Sequence, residues 1–366
     1  MQKKKIESMQ VLRALAFIGV VLSHCGFNDS TGAWGVSIFI VMSGFLSVYN
    51  HFDDYTLTKI SVKENMSFSI NKILKLYLLH ILMTMVAVLQ IIISWIRGLS
   101  DLTGELFAKL ILNVFLLQSW IPNNQWYCSL NSVAWFLSTC GFLYFIFPYI
   151  LKSLQLCEKR AEAIYASIFV FFLQVVVAWM SSKVTIGDIS DNFERWITYI
   201  LPLYRMGDFI IGCNLGYLFL TKKAKNFGKI QTTIAESIFI FLVMITNYIY
   251  ANKISVGSEQ WIRYNILFLP TTIGIVYLFA LNNGIFSKLL TNRVSIYVGN
   301  RSGYAFLIHL MVISYMDVLV WHFFNISLSP IIKTIVVLLL TLLLTEIYVK
   351  IENVLKNKIR YNRFFR

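Results

Sequence analysis

Long apolar segments alternate with short polar segments along most of the chain. About ten of the apolar segments have the length of about 17 to 25 residues that an α-helix needs to cross a bilayer. They lie at residues 10–27, 34–50, 74–96, 132–151, 162–182, 198–220, 233–251, 263–282, 303–321 and 329–350. The pattern predicts an all-α fold, a polytopic membrane helix bundle of about ten transmembrane helices.

Residues 102–120 form an apolar segment that does not fit this series. Glu105, Lys109, Asn113 and Gln118 interrupt it, and an additional span here would invert the distribution of charge in all later loops. Irregular polar segments occur at membrane depth where they line a cavity. We therefore expect an interfacial or re-entrant helix on the outer side.

The composition agrees with a membrane protein, because 57% of the 366 residues are hydrophobic and 14% are charged, against about 25% charged residues in soluble domains. The formal net charge is +14, but the basic residues lie in clusters between apolar segments, which argues against nucleic-acid binding. The clusters predicted to lie inside are at residues 3–5, 59–75, 152–160, 222–229, 288–301 and 356–366. The positive-inside rule then predicts a multi-pass protein of the inner (plasma) membrane with both termini cytoplasmic.

The five cysteines are odd in number, show no CxxC spacing and mostly lie in or beside apolar segments. We interpret them as small buried hydrophobic residues, with no disulfide and no metal site. Cys25 could act as an acyl-enzyme nucleophile beside His24, but adjacent helical residues point about 100° apart. The basic N-terminus lacks a small-residue cleavage site, so we expect an uncleaved first span and a single integral membrane domain, residues 1–366, with no soluble domain.

The first apolar segment contains two ionisable residues, Arg13 and His24, with ten residues between them. Eleven steps of about 100° bring their side chains to within about 20° of one helix face, about 16 Å apart along the axis. Ionisable residues at membrane depth face the interior of a bundle and mark functional sites. The spacing indicates a polar track into the membrane, unless Arg13 snorkels to the headgroups and His24 bonds a loop carbonyl.

A second basic pair, Lys72 and Lys75, begins the third apolar segment. At positions i and i+3 these lysines share a helix face and either bind an anion or serve as ordinary inside anchors. Together with Arg13 they would hold the phosphates of coenzyme A, whose pantetheine arm is comparable in length to the distance from Arg13 to His24. His24 would then act as general base on an attacking hydroxyl, with no metal.

Six motifs in this order resemble the acyltransferase-3 family of integral membrane acyltransferases. They are Arg13 with His24, the segment 35–46 with its Ser43-Gly44-Phe45, the pair Lys72 and Lys75, Trp135-Phe-Leu with Tyr144 and Pro148, Arg205-Met-Gly-Asp208-Phe with Gly212, and Ser302-Gly-Tyr-Ala-Phe-Leu-Ile-His309. Two positions depart from the family's pattern. Lysines stand at 72 and 75 where arginines are usual, and Cys140 stands where many members have Glu.

The resemblance implies an O-acyltransferase that moves an acyl group, most simply acetyl, from acyl-CoA to a hydroxyl of a cell-envelope saccharide or lipid-linked glycan. It also implies that Arg13 and His24 are the essential pair. Membrane lipids are the other expected partners, and from the charge distribution we expect no nucleic-acid partner. Some relatives are membrane halves of racemases, so a transporter of an amino acid or acylated precursor is the alternative. A purely structural partner is a third possibility.

The remaining candidates are assigned to the acceptor substrate. Arg205 and Asp208, at i and i+3, form either a structural ion pair or a substrate contact. Trp135, Ser138 and His309 are candidates for an acceptor pocket, although a lone histidine in an apolar segment is more often a hydrogen-bonded core residue. A continuous helix would rotate Asp29 about 140° from His24, so only a break at Gly26 would bring the two together.

Overall fold

The computed structural model describes residues 5–54, 61–98, 104–184, 190–221, 227–254 and 260–364. All regular elements in these ranges are helices. The α-helices are α1 Ser8–His24, α2 Asp29–His51, α3 Val62–Ile96, α4 Leu106–Val114, α5 Asn124–Tyr127, α6 Trp135–Gln155, α7 Arg160–Ser181, α8 Ser190–Arg195, α9 Pro202–Leu220, α10 Lys229–Ile249, α11 Leu269–Leu281, α12 Ile285–Leu290, α13 Arg293–Phe324 and α14 Pro330–Phe364. Seven basic residues that we predicted to lie inside are outside the described residues, namely Lys3, Lys4, Lys59, Lys222, Lys223, Lys225 and Arg366.

Among the described helices, 7 are long and apolar enough to cross a membrane, namely α2, α3, α6, α7, α10, α13 and α14. The other three predicted spans coincide with α1, α9 and α11. α1 has 17 residues and α11 has 13, whereas α9 carries Arg205, Asp208 and Asn214 among its 19 residues. The all-helical multi-pass architecture is thus present, while the count of ten spans and the side of the termini stay predictions.

The centre of the bundle is formed by α1, α2, α9 and α13, which make the most extensive helix contacts. Small residues allow α2 and α9 to approach at backbone distance. A methyl group on Gly212 would overlap the Val41 carbonyl, and one on Gly44 would overlap the Phe209 carbonyl. Such small-residue contacts are the usual means by which membrane helices pack closely.

The connection between α1 and α2 is a tight turn rather than a continuous helix. α1 ends at His24, and Gly26 has φ +96°, a left-handed conformation that favours glycine. The Asn28 side chain then accepts a hydrogen bond from the Ser30 amide, 3.1 Å, and caps α2. α1 and α2 therefore run antiparallel, with His24 and Asp29 at one end of the pair.

The opposite end is the basic end, defined here by Lys5, Lys72 and Lys75. Lys5 donates a hydrogen bond to the Asn300 side chain of α13, 3.0 Å. Asn300 lines the same cavity as Lys72 and Lys75, so Lys5, which precedes α1, lies at the same end of the bundle as these residues of α3 and α13.

The irregular segment at 102–120 contains α4, which has nine residues and is too short to span a bilayer. Two side chains of α3 hold its carboxyl-terminal end. Tyr77 donates to the Val114 carbonyl, 2.8 Å, and the His80 ring bonds the Asn113 carbonyl, 2.9 Å. The segment packs as a short helix against α3; its position relative to a membrane stays a prediction, and residues 99–103 lie outside the described ranges.

Candidate functional site

A cavity of about 390 Å³ lies at the basic end of the bundle, and three cations line it. Arg13 comes from α1, and Lys72 and Lys75 come from successive turns of α3. The rest of the wall comes from α2, α6 and α13. None of the described residues that line this cavity is acidic, so its charge is suited to an anion. We call it the cation cavity.

The three cations have different surroundings. The Lys72 ammonium bonds the His51 ring, 3.1 Å, and lies 5.1 Å from the centre of the Phe68 ring. Lys75 is exposed, and Arg13 is half-buried beside the α6 face that carries Cys140 and Tyr144. Within the described part of the chain no carboxylate forms a salt bridge with Arg13. Its guanidinium is therefore available to a ligand that enters the cavity.

A second cavity of about 130 Å³ lies at the other end of α1 and contains His24. The His24 ring is solvent-accessible. Trp135, Tyr199, Tyr264 and Phe306 supply aromatic side chains to the cavity wall. Cys25 is only 2% exposed and does not belong to this lining. We call this space the histidine cavity.

Asp29 lines the histidine cavity together with His24. We predicted that only a break in the helix at Gly26 would bring these two side chains together. The structure contains that break, because Gly26 has a positive φ. The signal in the sequence was Gly26 followed by a capping asparagine, Asn28. A carboxylate beside an imidazole stabilises the positive charge that forms when the imidazole accepts a proton.

Phe306 belongs to the walls of both cavities. Its ring centre lies 5.9 Å from that of Phe39 and 5.3 Å from that of Phe136. Phe39 and Phe136 are in turn 6.0 Å apart. We call these three rings, one each from α2, α6 and α13, the aromatic plug. The polar track predicted between Arg13 and His24 is therefore divided into two cavities by packed rings.

His309 lies directly behind His24, with their ring centres 5.4 Å apart. It is fully buried, and one ring nitrogen bonds the Phe306 carbonyl, 2.8 Å. The other ring nitrogen, Nε2, makes no hydrogen bond. His309 therefore supports the position of His24 and Phe306 and does not itself line either cavity.

The other predicted acceptor residues divide between different places. Trp135 lines the histidine cavity. Ser138 does not; its hydroxyl bonds the Leu116 carbonyl, 2.5 Å, and borders an apolar cavity of about 680 Å³ against α3 and α6. Arg205 and Asp208 are 0% exposed and paired at 2.9 Å. These last two residues line none of the three cavities.

Two charged residues of the histidine cavity, Arg195 and Arg263, were not predicted from the sequence to belong to the site. They lie far apart along the chain and at the edges of apolar segments, where the sequence indicates only loop charges. Spacing within one helix could not have found them, because the turn before α9 and the segment before α11 bring them together. Among the described residues no group of three or more His, Cys, Asp or Glu side chains is placed to hold a metal ion.

Comparison with known proteins gives a family and distant relatives. A family model described as an acyltransferase domain matches residues 6–348. A protein of Staphylococcus aureus strain COL, named "Putative O-acetyltransferase", is 24% identical over 335 residues, covering 85% of this chain and 51% of that protein. O-acetyltransferase OatA of Staphylococcus aureus strain NCTC 8325 is 23% identical over 370 residues, covering 95% and 56%. The chain spans about half the length of these curated relatives, and no solved structure matches it.

Proposed function

This chain belongs to the acyltransferase-3 family, and on that premise we propose that it transfers an acyl group from acyl-CoA to a hydroxyl of an envelope saccharide or lipid-linked glycan. Acetyl is the simplest group, as in the names of the relatives. The observation that carries the proposal is the pair of cavities along α1, one cationic without acidic lining and one containing His24.

The cation cavity is the proposed donor site. Coenzyme A carries phosphates at one end, and Arg13, Lys72 and Lys75 supply cationic donors for them. Lysine offers a compact point charge and not the bidentate fork of arginine, so Arg13 is the residue that can hold a phosphate with two parallel hydrogen bonds. The pantetheine arm then extends from this cavity toward His24.

In the proposed reaction His24 removes the proton from the acceptor hydroxyl, and the oxygen attacks the thioester carbonyl. The tetrahedral intermediate collapses by breaking the carbon–sulfur bond. The new ester leaves with the acceptor, and the coenzyme A thiolate takes up the proton held by His24. Asp29 lies in the same cavity and stabilises the imidazolium between the two proton transfers.

The aromatic plug must open during this cycle, because the thioester lies on one side of Phe306 and the attacking hydroxyl on the other. Rotation of one ring about its side-chain bonds is a small motion compared with a helix shift. The closed plug keeps water in the histidine cavity away from an unreacted thioester.

The test is acyl transfer by the purified protein in proteoliposomes, with radiolabelled acetyl-CoA and envelope glycan as acceptor. We expect His24→Ala to lower transfer by at least about 100-fold, the usual contribution of a general base. His322→Ala is the matched control, since His322 is exposed and lines neither cavity. Normal transfer by correctly inserted His24→Ala would refute the proposal. Radiolabelled uptake into vesicles without acyl transfer would support the transporter instead.

A further inference from the structure

Two guanidinium groups, those of Arg195 and Arg263, line the histidine cavity. Arg195 ends α8, and Arg263 lies before α11. Asp29 is the one acidic residue among the described residues that line this cavity. With a neutral imidazole at His24, the lining carries one more positive than negative charge. The proposed reaction does not use either arginine.

Arg195 lies among tyrosine side chains at the wall of the histidine cavity. Its Nε is buried and makes no hydrogen bond, and within the described part of the chain it forms no salt bridge. The hydroxyl groups of Tyr127, Tyr199 and Tyr264 interact with its charge. A guanidinium that lines a cavity without a carboxylate partner can donate charge-assisted hydrogen bonds to an oxyanion of a ligand.

Arg263 is positioned by an aromatic neighbour. Its guanidinium lies 4.5 Å from the centre of the Tyr264 ring and donates to the Tyr264 hydroxyl. These contacts fix the fork at the wall of the cavity. An arginine fork held in this way matches the paired oxygens of a carboxylate or phosphate.

The wall between the two arginines is aromatic. The ring centres of Trp135 and Tyr199 are 5.0 Å apart, and those of Tyr199 and Tyr264 are 4.9 Å apart. The faces of these rings are apolar, and the tyrosine hydroxyl and the tryptophan N–H are polar. Such a wall can contact both the C–H surface and the hydroxyl groups of an acceptor. A saccharide has both.

We propose that the acceptor carries an oxyanion, a carboxylate or a phosphate, close to the hydroxyl that is acylated, and that Arg195 and Arg263 bind this group. The inference rests on the proposed function, because it treats the histidine cavity as the acceptor site. It adds the substrate class: an acidic saccharide in place of a neutral one. The two arginines act in acceptor binding and not on the donor, which occupies the opposite cavity.

Cys128 gives a readout that does not depend on acyl transfer, because this half-buried cysteine lines the histidine cavity. Cys25, Cys140 and Cys213 are buried, so Cys157→Ser provides a background in which Cys128 is the accessible thiol. Burial raises the pKa of the Cys128 thiol, so the labelling is done at mildly alkaline pH. Modification by an anionic and by a cationic methanethiosulfonate is timed in lipid nanodiscs without donor.

We expect Cys128 to react faster with the anionic reagent than with the cationic one. Arg195→Gln and Arg263→Gln should each lower the ratio of the anionic to the cationic reaction rate about tenfold. Arg293→Gln is the matched control, because Arg293 is exposed and lines neither cavity. Equal effects of all three substitutions, or no reaction of Cys128 with either reagent, would overturn the proposal.

Protection of Cys128 then identifies the source of the oxyanion. Methyl glucuronoside tests a carboxylate, glucose 6-phosphate tests a phosphate, and methyl glucoside is the neutral control. We expect slower labelling with at least one anionic saccharide and no protection by the neutral one, with protection lost in Arg195→Gln. Equal protection by all three sugars would overturn the oxyanion site while leaving acyl transfer at His24 intact.

Kinetics separate acceptor binding from stabilisation of the reaction intermediate. In the acyl-transfer assay, Arg195→Gln should raise KM for an anionic acceptor much more than KM for a neutral acceptor. A fall in kcat with both acceptors would show that the arginines stabilise the tetrahedral intermediate, which contradicts the proposal. Complete absence of acyl transfer in the unaltered protein would contradict the proposed function, while the labelling result would stand on its own.

Discussion

Arg205 and Asp208 are a pair of charges that the bundle holds away from solvent. Both side chains are 0% exposed and 2.9 Å apart, and Gln174 donates to the second carboxylate oxygen, 2.9 Å. The Arg205 guanidinium also lies 5.7 Å from the centre of the Tyr199 ring, and Tyr199 lines the histidine cavity. Arg205 thus contacts a tyrosine of the cavity wall, although the ion pair itself lines none of the three cavities.

Breaking this pair should destabilise the protein and not remove a substrate contact. We expect Asp208→Asn to lower the free energy of unfolding by about 3–5 kcal/mol, since it leaves a buried guanidinium uncompensated. The double variant Arg205→Met with Asp208→Leu should recover most of that loss. Thermal unfolding of the purified protein measures both. Unchanged thermal stability together with lost acyl transfer would instead assign the pair to the substrate.

At the level of elements, the turn between α1 and α2 decides what His24 contacts. Because α1 stops at His24 and Gly26 takes a positive φ, Asp29 enters the same cavity. Any residue with a Cβ pays about 1–2 kcal/mol in this left-handed conformation. A backbone shift in the turn between α1 and α2 would relieve this strain. The same shift would change the position of His24 relative to Asp29.

We therefore expect Gly26→Ala to lower kcat for acyl transfer by about tenfold or more, a misplacement effect, with little change in KM for acyl-CoA. Gly98→Ala is the matched control. Gly98 also has a positive φ, +66°, with nothing within 4 Å of the added methyl group, and it lies outside both cavities. A similar loss in both variants would show that backbone strain alone is responsible.

The apolar pattern located the seven described helices that are long and apolar enough to cross a membrane, because bilayer length and hydrophobicity are local properties of the chain. It also placed Arg13 and His24 on one side of α1, where each now lines a cavity. It could not place Arg195 and Arg263, which meet only through contacts between separate elements. Nor could it predict the aromatic plug, since Phe39, Phe136 and Phe306 look like any other apolar residues in their spans.

For the whole molecule, the central feature is that two cavities of different chemistry share one wall. Phe306 is 6% exposed and is the residue common to both linings. If the aromatic plug keeps water from the thioester, a smaller side chain in the plug should connect the two cavities even when no acceptor is bound. Hydrolysis of acyl-CoA without acceptor is then the direct measure of how well the plug closes.

We expect Phe306→Leu to raise acceptor-independent release of free coenzyme A in proteoliposomes several-fold, because the smaller side chain leaves a gap that water can enter. Phe147→Leu controls for loss of packing, since Phe147 is 0% exposed and lines neither cavity. Adding His24→Ala to Phe306→Leu should suppress the release, because His24 would be the base that activates water. Release that persists without His24 would mean that water reaches the thioester from the basic end, and the plug would then not be the barrier between the two sites.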